Sequence, residues 1–174
     1  VTRELLFDPT DPDTWPRRRR RYDLRLLRDG HVHRVDDPAA LRTATATLRD
    51  LGYRVHDLDA SGWRAVDDLH GALAAALSFP DYYGRNLDAL NDALGEVAEF
   101  AYGADPASTG TVLAIDGYDR VLEIDPEVAH AVLDVFASAA RYGALLGHPM
   151  ICLVTTGAEL EEVGATPVTC EEPR

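Results

Sequence analysis

The chain holds 174 residues, 46% of them hydrophobic and 27% charged, with a formal net charge of −13. Such a composition suits one folded domain with an elaborated end; it excludes a disordered or collagen-like chain, and no run approaches the roughly 18 apolar residues of a membrane span. The charge is uneven, with 11 Arg against 9 Asp and Glu in residues 1–50 but 6 Arg against 21 in residues 51–174, so the larger part repels a phosphate backbone and attracts basic partners, which argues against direct nucleic-acid binding.

Val1 to Asp8 lack the basic and then apolar run of a secretory leader, so a cytoplasmic setting, without membrane attachment, is expected. Pro9, Pro12 and Pro16 predict an irregular arm, and Arg17 to Arg21 a solubilising segment with no assigned function. Tyr22 to Leu26 alternates like a half-buried strand that closes at the turn signal Asp29-Gly30, and His31-Val32-His33 begins a return strand. Its two histidines fall on one side without a third ligand, which predicts surface histidines rather than a metal site.

Asp36, Asp37 and Pro38 signal a helix start, and Leu41, Thr45 and Leu48 continue it to a stop at Gly52. Tyr53 to Leu58 reads as a strand, and Val66 to Leu77 as a helix broken by Phe79-Pro80. Another helix is predicted from about Asn86 to Phe100, then a loop, a strand at Thr111 to Ile115, a helix opened by Pro126, and a buried strand at Met150 to Val154. Residues beyond Gly157 read as a loose acidic tail. This alternation predicts an α/β fold with a mainly parallel sheet. His70 is expected to be a packed, hydrogen-bonded residue and Cys152 inert core, and two cysteines make no disulfide framework.

On the helix opened by Asn86, each residue advances roughly 100°, so Leu87, Leu90, Leu94 and Val97 share one face while Asp88, Asp92 and Glu99 lie nearly opposite. Asp88 and Asp92 are helical neighbours of like charge, partly compensated by the helix dipole. Tyr82 and Tyr83 supply large rings with polar tips, Gly84 frees the backbone, and Asn86 is a good N-cap. Such a surface suits a positively charged groove.

The ordered string Tyr82-Tyr83-Gly84-x-Asn86-Leu87-Asp88-Ala89-Leu90-x-Asp92 closely resembles the signature of the barstar family of ribonuclease inhibitors. The resemblance runs from Tyr53 to Thr155. It implies a small, mainly parallel barstar-like sheet flanked by helices, here with an N-terminal strand and helix addition: residues 1–52 form the addition, 53–157 the barstar-like domain and 158–174 an acidic tail. It further implies a protein inhibitor without catalysis or cofactor, whose partner is a basic secreted or toxin-type ribonuclease. Asp92 matches the carboxylate that occupies the enzyme's phosphate site, Asp88 a second acidic contact, and Tyr82, Gly84 and Asn86 the loop and cap residues that touch the enzyme, with Tyr83 beside them. One family member carries tryptophan where this chain has Asn91, and glutamates where it has Ser138 and Tyr142; Arg85 replaces an acidic residue. Two other readings stand beside this one: the same scaffold bound to a different basic toxin or regulatory protein, and a hydrolase in which Asp88 and Asp92 hold a divalent metal ion.

Overall fold

The structure, a computed structural model, describes residues 20–160 together with Thr10, Asp11, Asp13, Pro16, Thr169 and Cys170. Most of the arm before Pro16, most of Arg17 to Arg21 and most of the acidic tail lie outside the described residues. In chain order the elements are α1 (Tyr22–Asp29), β1 (Val32–Val35), α2 (Pro38–Asp50), β2 (Arg54–Asp59), α3 (Val66–Leu77), α4 (Leu87–Ala98), β3 (Thr111–Asp116), α5 (Asp119–Ile124), α6 (Pro126–Leu145), β4 (Met150–Thr155) and β5 (Thr169–Cys170).

The strands form one sheet in the order β2-β3-β4-β1-β5, with every described pairing parallel. Parallel neighbours need crossovers, and the helices supply them on both faces. Successive residues of β3 and β4 therefore meet different cores. Val112, Ala114, Ile151 and Leu153 pack with Leu26 of α1 and Leu41, Ala44 and Leu48 of α2. Leu113, Ile115, Met150, Cys152 and Val154 pack against α3, α4 and α6. Burial on both sides explains the continuous apolar runs of these two strands.

The N-terminal region differs from its sequence reading. Tyr22 to Leu26 belongs to a helix, not a strand. The spacing of Tyr22, Leu26 and Leu27 satisfies either period, and packing decides: Leu26 is buried against α2, while Gly30 ends the helix by donating its N–H to the Leu26 carbonyl at 3.0 Å. The strand of this region is β1, which lies inside the sheet between β4 and β5. His33 is consequently buried, not at the surface, with its Nε2 against the Gly30 carbonyl at 3.2 Å; His31 is half-buried against the Met150 carbonyl. The tail also departs from a loose segment at Thr169 and Cys170, which pair with His33 and Arg34.

Two caps show how sequence fixes the helix starts. The Asp37 carboxylate accepts from the N–H groups of Ala39 and Ala40, and Asp125 does the same for Glu127 and Val128, each just before a proline that needs no donor of its own. One buried charge anchors the N-terminal addition. Asp23, almost fully enclosed, takes a two-point bond from Arg21 and a hydroxyl from Tyr53, which joins α1 to the start of β2.

Candidate functional site

The segment from Pro80 to Arg85 climbs along α3 before α4 begins. At its lower end Phe79 stands edge-on to Tyr83 and Tyr102; further along, the Tyr83 hydroxyl lies 2.6 Å from His70 Nδ1; at its top Arg85 pairs with Asp67 at 2.6 Å. These contacts turn the two adjacent tyrosines in opposite senses. Tyr83 is half-buried and its phenol is pushed up to about 12 by loss of solvent, whereas Tyr82 is 83% exposed. His70 is buried and hydrogen-bonded, as its sequence context implied.

Helix α4 starts where expected. Asn86 adopts extended backbone angles and its side-chain oxygen accepts from the Ala89 N–H at 2.8 Å. The left-handed residue in this turn is Arg85, at φ 49°, rather than Gly84. The value of Gly84 lies in close approach: a Cβ there would meet the Asn86 amide nitrogen at 3.3 Å and the Ala89 methyl at 3.4 Å, crowding the cap.

Leu90, Ala93, Leu94, Val97 and Ala98 bury the inner face of α4, and Asp88, Asn91, Asp92, Glu96 and Glu99 are exposed. Asp88, Asp92, Glu96 and Glu99 fall within an arc of about 80° spanning three turns. Glu96 was overlooked in the sequence although the same count of four from Asp92 reaches it. Two tyrosines from outside the motif edge this stripe. Tyr102 lies beside Glu96, and burial, Glu96 and the neighbouring Tyr82 and Asp92 all push its phenol upward. Tyr142 on α6 donates to Glu99 at 2.7 Å, and that carboxylate pushes the Tyr142 phenol above its ordinary value. Tyr102 follows α4 in the loop that leaves it, whereas the Tyr142 contact has no local sequence signal, because it joins α4 to α6.

The far end of α4 is fastened by His148. With Nδ1 donating to the Ala98 carbonyl at 3.0 Å, Nε2 accepts from the Thr111 hydroxyl at 2.8 Å, and the ring stacks on Phe100 at 4.0 Å. The acidic helix is thus held at its cap, along its apolar face and at its C-terminal end. Asp88 and Asp92 remain open, with no bond to another described residue, and no group of three or more His, Cys, Asp or Glu among the described residues is placed to hold a metal ion. No described helix is long and apolar enough to cross a membrane.

What this arrangement can do chemically is present a row of oxygen acceptors, with aromatic area beside them, to a partner rich in guanidinium or ammonium groups. Over 37 residues the chain is 51% identical to a Bacillus subtilis (strain 168) protein named "Putative ribonuclease inhibitor YrdF"; the match takes in 21% of this chain and 41% of that relative's length. Residues 53–155, more than half of the chain and the whole stretch from β2 to the end of β4, match the family described as Barstar (barnase inhibitor), and the chain belongs to that family.

Proposed function

We propose that this protein inhibits a basic, toxin-type ribonuclease by occupying its active site, with Asp92 standing in for a substrate phosphate. The observation that carries the reading is the open pair Asp88 and Asp92 on the outer face of a helix fastened at both ends. A carboxylate accepts paired hydrogen bonds from guanidinium as a phosphate does, yet offers no bond to cleave. Asp88 adds a second anionic contact one turn away, and Tyr82, Gly84 and Asn86 form the adjoining loop and cap surface. Tyr83 supports that surface from beneath through His70. Inhibition in this reading is simple occupancy, without turnover or cofactor, in the cytoplasm of the producing cell.

Complementary net charge would speed the encounter, so association is expected to slow as salt rises. The test is to measure inhibition of basic ribonucleases encoded in the source genome by wild-type protein and by Asp92→Ala. Wild-type protein should inhibit one of them and Asp92→Ala should lose most of that effect. Equal inhibition by the two proteins would remove Asp92 from the mechanism, and retention of a basic protein that is not a nuclease would favour a different toxin or regulatory partner.

A further inference from the structure

The described residues expose few large hydrophobic side chains: Tyr82 at 83%, Tyr142 at 42%, Leu145 at 84% and Leu146 at 44%. Tyr82 and Tyr142 border the carboxylate stripe of α4, and Leu145 and Leu146 follow Tyr142 at i+3 and i+4, so they share its side of α6. Tyr82 lies at the Asp92 and Tyr102 flank, while the other three form the last turn and cap of α6, where Tyr142 is bonded to Glu99. Helices α4 and α6 run side by side and their C-terminal ends meet: a Cβ on Gly143 would lie 3.4 Å from the Ala98 methyl. The apolar end of α6 is therefore continuous with the acidic face, about 10 Å along the helix from Asp92 at 1.5 Å rise per residue.

Isolated exposed leucines need no explanation, but a group confined to the border of one charged face resembles the mixture of apolar anchors and polar groups found in protein interfaces. We infer that Tyr142, Leu145 and Leu146 form a second, apolar contact for the same ribonuclease, which must carry an apolar shelf beside its basic groove. This inference rests on the proposed function and extends it. The carboxylates recognise the basic site common to ribonucleases, whereas the α6 end selects a particular enzyme by its surface outside that site. The shelf contact is apolar and carries no charge to screen, so its contribution does not fall as salt rises as that of the carboxylates does.

The test uses the full chain as bait for extract and culture medium of the source cell, with ribonuclease activity as the readout of capture. Dissociation of the captured enzyme is then compared for wild type, Asp92→Ala and the double variant Leu145→Ser/Leu146→Ser, at low and high salt. The double variant should dissociate at least about tenfold faster at both salt concentrations, the change expected when leucine side chains are no longer withdrawn from water. Asp92→Ala should instead weaken binding and flatten its dependence on salt. Unchanged dissociation of the double variant overturns the apolar contact while leaving the inhibitor reading intact; failure to capture any ribonuclease overturns both. A wild-type dimer in sedimentation that the double variant abolishes would assign the patch to a second copy of the chain instead. Both leucines are exposed, Leu145 at 84%, and matching circular dichroism melts control for loss of folding.

Discussion

His70 Nδ1 and the Tyr83 hydroxyl lie 2.6 Å apart, joining the middle of α3 to the loop that delivers α4. The ring of Tyr83 also packs edge-on against Phe79 with centroids 4.9 Å apart. Tyr83→Phe keeps that packing and loses only the bond, so it is expected to cost about 1 kcal/mol of stability. Tyr83→Ala loses both and should cost about 3 kcal/mol. Tyr82→Ala, by contrast, removes an exposed ring and should leave urea unfolding unchanged while weakening the ribonuclease complex. Chemical denaturation of the three variants separates the roles of these neighbouring tyrosines, and a large loss of stability in Tyr82→Ala would contradict the assignment.

Asp88, Asp92 and Glu96 follow one another at i, i+4 spacing on an exposed face, so each carboxylate repels the next. Neither Asp88 nor Asp92 makes a compensating bond with a described residue. Asp92→Asn should therefore leave the melting temperature unchanged or slightly higher while losing most inhibition. A substitution that harms function and spares stability marks a residue held for its partner, and a clear fall in melting temperature would give Asp92 a structural role.

The features legible in the sequence were those encoded locally. The apolar runs at Thr111 to Ile115 and Met150 to Val154 announce strands buried on both faces, Asp37 and Asp125 before prolines announce helix starts, and Asn86 announces α4. The string from Tyr82 to Asp92 identified the exposed face because about 3.6 residues per turn suffices to place it. What was not legible depends on contacts distant in sequence. Tyr22 to Leu26 fits strand or helix until Leu41 and Leu48 bury Leu26, and His33 looks like a surface residue until β5 is placed beside β1. Tyr142 joins the acidic stripe only through tertiary packing, 43 residues from Glu99. The six-residue α5 lay between recognised elements, too short to show a period of its own.

Stability should fall on mild acidification. Burial is the foremost cause holding His31, His33, His56 and His70 below their usual range, with His33 brought down to about 4. A histidine whose folded pKa is depressed binds fewer protons when folded than when unfolded, so its contribution is fully present above about pH 6.5 and is lost as the pH falls toward the folded value. For His33 alone the loss between these limits is on the order of 3 kcal/mol. Urea midpoints should decline from pH 7 to pH 4.5, and His33→Asn should make that decline shallower. An unchanged slope in the variant would place the sensitivity on the other histidines.

The last expectation concerns residues 1–52. In the structure α1 and α2 cover the sheet face formed by Val112, Ala114, Ile151 and Leu153, and β1 occupies the edge of β4 along Cys152 to Thr155. Asp23 also receives the Tyr53 hydroxyl, so the first residue of the family-matched stretch is bonded to the addition. A chain beginning at Gly52 would expose an apolar sheet face and a row of unpaired strand groups, the two features that drive edge-to-edge association. It is expected to aggregate or to bind a hydrophobic dye, and Leu48→Ala in the full chain should cost about 2–5 kcal/mol because Leu48 is wholly buried in that same layer. Reversible, monomeric folding of the shortened chain, measured by sedimentation and urea unfolding, would instead make residues 53–157 an autonomous unit. In that case equal binding of ribonuclease by the short and full chains would also remove the N-terminal addition from the interface.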